Sequence, residues 1–207
     1  MNIFGHTDEK DMAEGIRKGN NRAMRSFYAS FGSQLTAVCS RYISDEDDVK
    51  DVMQDAMISI IQHIDNFTYH GKGSLRAWAT RIVVNQALNF IKSRQRFDET
   101  FTDDDINSIA HTSDANDEPD IGDIPAEVIH KMISLLPEGY RTVFNLYAIE
   151  GKSHKEIADI LGIKADSSAS QLHRAKNILA REINKYKKEK TEYNHDRKVE
   201  KTDSRQD

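Results

Sequence analysis

Between Val49 and Ile64 apolar residues recur three and four positions apart, as Val49, Val52, Met53, Ala56, Ile60 and Ile64. On a helix this spacing puts all six on one side, whereas on a strand it would scatter them over both faces, so the segment folds as an amphipathic helix. The same spacing returns along most of the chain, and hardly one convincing alternating run interrupts it. Three prolines and ten glycines in 207 residues leave room for long helices. The pattern predicts an all-α protein, long enough for one sizeable domain or two small ones.

Residues 8–18 read as a short first helix with Met12 and Ile16 inward, ended by Gly19 and Asn20, with Asn21 as cap of the next. That second helix carries Met24, Phe27, Tyr28, Phe31, Leu35, Val38, Cys39 and Tyr42 as a core stripe. Ser44 or Asp45 caps the third, whose first-turn acids suit the helix dipole. Its outer face holds Asp48, Asp51, Gln54, Asp55, Ile58 and Gln62. Acids on an outer face usually do no more than solvate it. The apolar Ile58 among them makes a docking face for a basic partner a fair competitor.

Asn66 to Gly73, NFTYHGKG, is a loop in which glycines permit close approach and aromatics offer stacking surfaces for an unstacked base. After Ser74 as cap, Leu75, Trp78 and Ile82 start an inward seam that continues as Asn85, Asn89 and Lys92. Either the amides meet a ligand, with Lys92, Arg94 and Arg96 holding phosphates, or Val84, Leu88 and Ile91 take over the core and the asparagines face water.

Net charge is −5, which by itself argues against nucleic acid. Local charge says otherwise. No acid occurs between Asp65 and Asp98, while Lys72, Arg76, Arg81, Lys92, Arg94 and Arg96 fall inside that interval. The acidic, aperiodic run from Phe97 to Ile124 follows and reads as a flexible linker and domain boundary.

The second module opens with a helix from Ala126 to Leu136, through Ile129, Met132, Ile133 and Leu136. Pro137 then starts another, with Val143, Phe144, Leu146 and Tyr147 as its apolar face and Gly151 at its end. Ser153 and Glu156 form a capping box for a further helix with Ile157, Ala158, Ile160 and Leu161 inward, stopped by Gly162. A last helix from Asp166 or Ser167 buries Leu172, Ala175, Leu179 and Ile183 and shows Ser167, Ser170, Gln171, His173 and Arg174 outward. Two helices across a glycine turn fit a helix-turn-helix DNA reader and an ordinary helical hairpin about equally. Past Ile183 the alternating charges predict fraying, then disorder. The predicted division is therefore 1–96, a linker 97–124, a second domain 125–187 and a tail 188–207.

The single cysteine, Cys39, rules out an internal disulfide and any cysteine-built metal site, so a reducing cytoplasm is expected. No secretory signal and no run long enough to cross a bilayer is evident. A catalytic nucleophile, acid-base pair or phosphate loop is not evident either, and no cofactor or metal is expected. Glu127-x-x-His130 and Glu192-x-x-His195 match di-metal spacing, but the partner glutamates are lacking.

VKDVMQDAMISII, GSLRAWATRIVVNQALNFIKSRQR, and LPEGYRTVFNLYAIEGKSHKEIADILGI followed by QLHRAK resemble, in order and spacing, an extracytoplasmic-function sigma factor of the sigma-70 family. The resemblance spans residues 20–186. It implies a sigma-two and a sigma-four domain, core RNA polymerase and promoter DNA as partners, an anti-sigma factor as regulator, and no enzymatic activity. Asp48, Asp51, Gln54, Asp55 and Ile58 then match the face that docks on polymerase. Phe67, Tyr69, Lys72, Ser74, Arg76, Arg81, Asn85, Asn89, Lys92, Arg94 and Arg96 match the reader of the minus-ten element. Arg141, Ser167, Ser168, Ser170, Gln171, His173, Arg174 and Lys176 match the reader of the minus-thirty-five element. Family members usually carry a cation on each side of the Ser170 position, where this chain has Ala169 and Gln171. The competing reading is a stand-alone helix-turn-helix regulator, which would leave the Asp51–Ile58 face without a task.

Overall fold

The structure is a computed structural model, and it describes residues 8–95, 122 and 124–203, with side chains to Thr191 except that of Gln95. Two compact units divide the chain. The described residues are helical throughout, with no strand among them, as the apolar spacing predicts.

The first unit packs four helices: α1 (Glu9–Arg17), α2 (Asn21–Cys39), α3 (Glu46–His63) and α4 (Ser74–Gln95). Asp8 caps α1 and Asn20, one residue earlier than expected, caps α2 through a 2.8 Å bond from the Arg22 amide. Asp45 caps α3, accepting from the amides of Asp47 and Asp48 at 3.0 Å each. These bonds hold the Asp45 carboxyl below its usual range. Phe27, Leu35, Tyr42, Ile60, Leu75 and Ile91 are its most deeply buried large side chains. Tyr28 departs from the predicted stripe: it is 57 % exposed, with its ring lying over the Cα of Gly32 one turn on.

The core seam of α4 also departs from expectation. Leu75, Ala79, Val83, Ala87 and Ile91 are buried, joined by Val84 and Leu88, while Trp78 and Ile82 are only half-buried and Asn85 and Asn89 are exposed. Residues four apart advance by about 40° per step around a helix, so this seam winds across α4 as it passes α2 and then α3. A straight stripe through Trp78, Ile82, Asn85 and Asn89 lies on the other side.

The second unit contains α5 (Ala126–Ser134), α6 (Glu138–Phe144), a π-helical turn (Asn145–Ile149), α7 (His154–Leu161) and α8 (Ala165–Asp203). Leu136, Tyr140, Ala175 and Leu179 form a core cluster, flanked by Met132, Ile133, Phe144 and Ile178. Pro137 sits at the cap position of α6. The π turn, closed by a 3.1 Å bond from the Glu150 amide to the Asn145 carbonyl, shifts the register after Phe144. It keeps Leu146 buried and turns Tyr147 outward, against the predicted apolar face.

The Ser153–Glu156 capping box is present in full, and Gly162 ends α7 at φ 71°, the left-handed conformation that favours glycine. In α8, Leu172, Ala175, Leu179 and Ile183 are buried as expected. The helix does not fray at Ile183 but continues to Asp203. Lysine and glutamate are good helix formers at every position of such a run, and local bonds such as Thr191 Oγ1 to the Lys187 carbonyl add to it. The predicted linker lies almost wholly outside the described residues.

Candidate nucleic-acid interface

On α3, Asp51, Gln54, Asp55 and Ile58 share one exposed face, with Ile58 53 % exposed. Asp48 stands apart from them. It is half-buried and ion-paired with Arg94 of α4, whose guanidinium also lies over the Phe90 ring at 5.5 Å. One residue expected at a polymerase face and one expected at a DNA face are thus partners across the helix pair.

The loop between α3 and α4 is anchored from beneath. Phe67 is buried and packs on Trp78 with ring centroids 5.5 Å apart, so it is not the exposed stacking surface expected of it. Tyr69 is half-buried and its hydroxyl bonds Asp8; desolvation, then the charges of Asp8 and Glu9, raise its pKa. Ser74 Oγ donates to the Gly71 carbonyl at 2.6 Å and accepts from the His70 amide at 3.3 Å. Capping of α4, expected of Ser74, is shared with Glu9, whose carboxylate accepts from the Gly73 and Leu75 amides at 2.9 Å each. Gly73 has φ 92°, which admits glycine and little else.

Lys72, Arg76 and Arg81 are exposed. Along α4, Arg81, Asn85, Asn89 and Lys92 fall within one sector of the helix, on the side the winding core seam leaves open. Amides and cations in one row suit a nucleic-acid strand, with amides offering paired donors and acceptors to base edges and cations meeting phosphates. Arg96 lies outside the described residues.

In the second unit the exposed face of α8 holds Asp166, Ala169, Ser170, His173 and Lys176. Ser170 Oγ bonds back to the Asp166 carbonyl at 2.9 Å, and His173 meets the Asn177 amide at 3.1 Å. Ser167 and Gln171 are half-buried. Two residues expected at DNA point inward instead. Ser168 is fully buried and bonds His154 Nδ1 at 3.0 Å, and the His154 ring stacks on Tyr147 at 4.9 Å. Arg141 is 4 % exposed and donates to the carbonyls of Ser134 and Leu136, groups left over where α5 ends. Arg174 is half-buried and donates to the Tyr140 hydroxyl at 3.2 Å.

Residues 27–97 match sigma-70 region 2, and residues 126–179 match sigma-70 region 4, together more than half the chain. The chain is similar to the RNA polymerase sigma-H factor of Pseudomonas aeruginosa, 26 % identical over 84 % of this chain and 93 % of that one. It is also similar to the extracytoplasmic-function sigma-E factor of Escherichia coli K12, 25 % identical over 83 % of this chain and 92 % of its relative.

The chain belongs to the extracytoplasmic-function group of the sigma-70 family.

Among solved structures, this sigma factor resembles CnrH in complex with the cytosolic domain of CnrY, at 24 % identity and TM-score 0.42 over 86 % of this chain and 97 % of that one. It also resembles the Bartonella quintana sigma factor RpoE in complex with the anti-sigma factor NepR, at 22 % identity and TM-score 0.43 over 79 % and 98 %. Both matched regions contain the faces built above: α3 and α4 in region 2, α7 and the start of α8 in region 4. Among the described residues no helix of this sigma factor is long and apolar enough to cross a membrane. Glu9 and Arg17, which bond to the loop of region 2, were not legible as site residues, because they belong to a short helix whose periodicity speaks only of Met12 and Ile16. Asp166 is likewise new on the exposed face of α8, where an acid at a helix start reads as a capping device.

Proposed function

We propose that the two units of this sigma factor divide promoter work between them. The protein itself is a non-enzymatic initiation factor that directs core RNA polymerase to promoters. The α3 face of Asp51, Gln54, Asp55 and Ile58 is its polymerase dock: acids around an exposed isoleucine suit a basic partner with an apolar seat. The row Arg81, Asn85, Asn89 and Lys92, with Lys72, Arg76 and the loop before them, receives the opened minus-ten strand. Ser170, His173 and Lys176 meet the minus-thirty-five duplex. The observation that carries this reading is the exposed amide-and-cation row on α4, which the core packing has no use for.

Asp48 and Arg94 enter as a structural pair, and Phe67, Arg141 and Ser168 as buried supports. Ala169 lies on the exposed face of α8 and Gln171 at its edge, where cations are usual, so the duplex grip is weak and the α4 row carries more of the recognition. A cytoplasmic site of action and an anti-sigma factor that masks these faces complete the proposal.

The test is transcription in vitro with purified core polymerase, on promoters mapped by sequencing RNA starts after overproduction. Asn85→Ala with Asn89→Ala is expected to impair strand opening while polymerase affinity holds, and Asp55→Lys to do the reverse. Failure of all three in docking alone would falsify the division of labour.

A further inference from the structure

Both ends of α1 reach the loop that precedes α4. At its start, the Glu9 carboxylate takes the amides of Gly73 and Leu75, one oxygen to each, at 2.9 Å. Asp8, beside it, bonds the Tyr69 hydroxyl. At its end, Arg17 donates to the carbonyls of Ile64 and Phe67 at 3.2 Å each and pairs with Asp65 at 3.2 Å. These contacts bracket the loop, one set before its first residue and one after its last. Sequence separations of 47 to 66 residues make them tertiary bonds, which no local turn would supply.

We infer that Glu9 and Arg17 are positioning residues for promoter opening: α1 is a brace that sets the geometry of the loop at residues 64–75. The inference rests on the reading of that loop as the receiver of the opened strand. α1 lies ahead of the residues that match sigma-70 region 2. A loop that receives an extruded base must hold its shape before the base arrives, since ordering it at that moment would subtract from the binding energy. The loop has two residues at positive φ, Gly71 and Gly73, and glycine is the residue with most conformational freedom to lose. Two charged side chains that fix both of its ends remove that freedom in advance. Arg17 suits its end because a planar guanidinium can reach two carbonyls and a carboxylate together, which an ammonium does not.

The sole tryptophan reports on the same place. Trp78 packs on Phe67, the residue whose carbonyl Arg17 holds. The experiment uses the full chain with core RNA polymerase and a duplex promoter that the wild type opens, with permanganate reactivity of unpaired thymines as readout. Glu9→Ala is expected to speed hydrogen exchange at residues 73–75 and slow opening about tenfold, while polymerase affinity stays within about twofold. Glu9→Asp, which keeps both acceptor oxygens, restores part of the rate. Arg17→Ala is expected to red-shift Trp78 emission and slow opening in the same way, and Arg17→Lys not to rescue it. Parallel loss of thermal midpoint, affinity and opening would mean that α1 merely stabilises the unit and would overturn the inference. So would unchanged opening in Glu9→Ala once exchange at residues 73–75 had quickened. A wild type that binds polymerase but opens no mapped promoter would instead overturn the loop reading on which the brace depends.

Discussion

Arg94 of α4 and Asp48 of α3 form an ion pair between two helices that otherwise present opposite chemistries to their surroundings. The pair is partly exposed, at 55 % and 28 % of the two side chains. Water and salt screen such a pair, so a double-mutant cycle of Asp48→Ala and Arg94→Ala is expected to give a coupling below about 1 kcal/mol. Asp48→Ala should accordingly disturb polymerase affinity much less than Asp55→Lys, measured in the same titration. A large effect of Asp48→Ala on docking would return it to the polymerase face.

Arg141 is expected to matter for stability and not for DNA charge. Its guanidinium satisfies the Ser134 and Leu136 carbonyls at the end of α5 from a nearly sealed position. Removing it leaves buried acceptors unpaired and a cavity behind them, so Arg141→Ala should destabilise the second unit by about 2–4 kcal/mol in thermal or urea unfolding. Below the melting range, the salt dependence of promoter binding should match that of the wild type. A shallower salt slope would show that this cation reaches a phosphate after all.

Cys39 is fully buried, and burial pushes its thiol from an ordinary 9.0 up to about 11. The native protein at pH 8 should therefore leave Cys39 unmodified by a disulfide reagent over minutes, with full reaction in urea. The same shift links folding to pH. Unfolded chains release this proton near 9 and folded ones near 11, so the contribution is complete below pH 9 and is lost as pH rises through that interval. Fast native labelling would place the first unit's core in frequent local opening.

Gly15 of α1 faces Ala23 of α2 so closely that a Cβ added there would stand 2.5 Å from the Ala23 Cβ. Alanine is the better helix former by about 1 kcal/mol, but the clash involves a short side chain fixed on a helix backbone. The clash should win. Gly15→Ala is expected to lower stability by about 1–3 kcal/mol in denaturant unfolding. A stabilised variant would mean that α1 and α2 separate at little cost.

The helices were legible because apolar spacing and end signals are local: Asp45, the Ser153–Glu156 box and Gly162 each act within one turn of their own position. The α4 face was harder. Its straight stripe of Trp78, Ile82, Asn85 and Asn89 suggested a seam turning from apolar to polar, whereas the buried residues wind around the helix to meet two different neighbours. Arg141 and Ser168 could be placed at DNA by resemblance, yet their partners lie 5 to 14 residues away across turns that periodicity does not describe. The bonds of Glu9 and Arg17 span most of the first unit, and no spacing rule reaches that far. Tyr147 was assigned inward because a π turn looks in sequence like an uninterrupted α-helix.

That turn, Asn145–Ile149, amounts to one residue of surplus chain absorbed within a helix. Its length, more than its composition, decides where α7 begins relative to α6. Deleting any one of its five residues would let the helix run on in ordinary α form and swing everything downstream by about 100° around the axis. The orientation of the helix-turn-helix is thus held by a count of residues, so that this stretch can vary in sequence far more readily than in length.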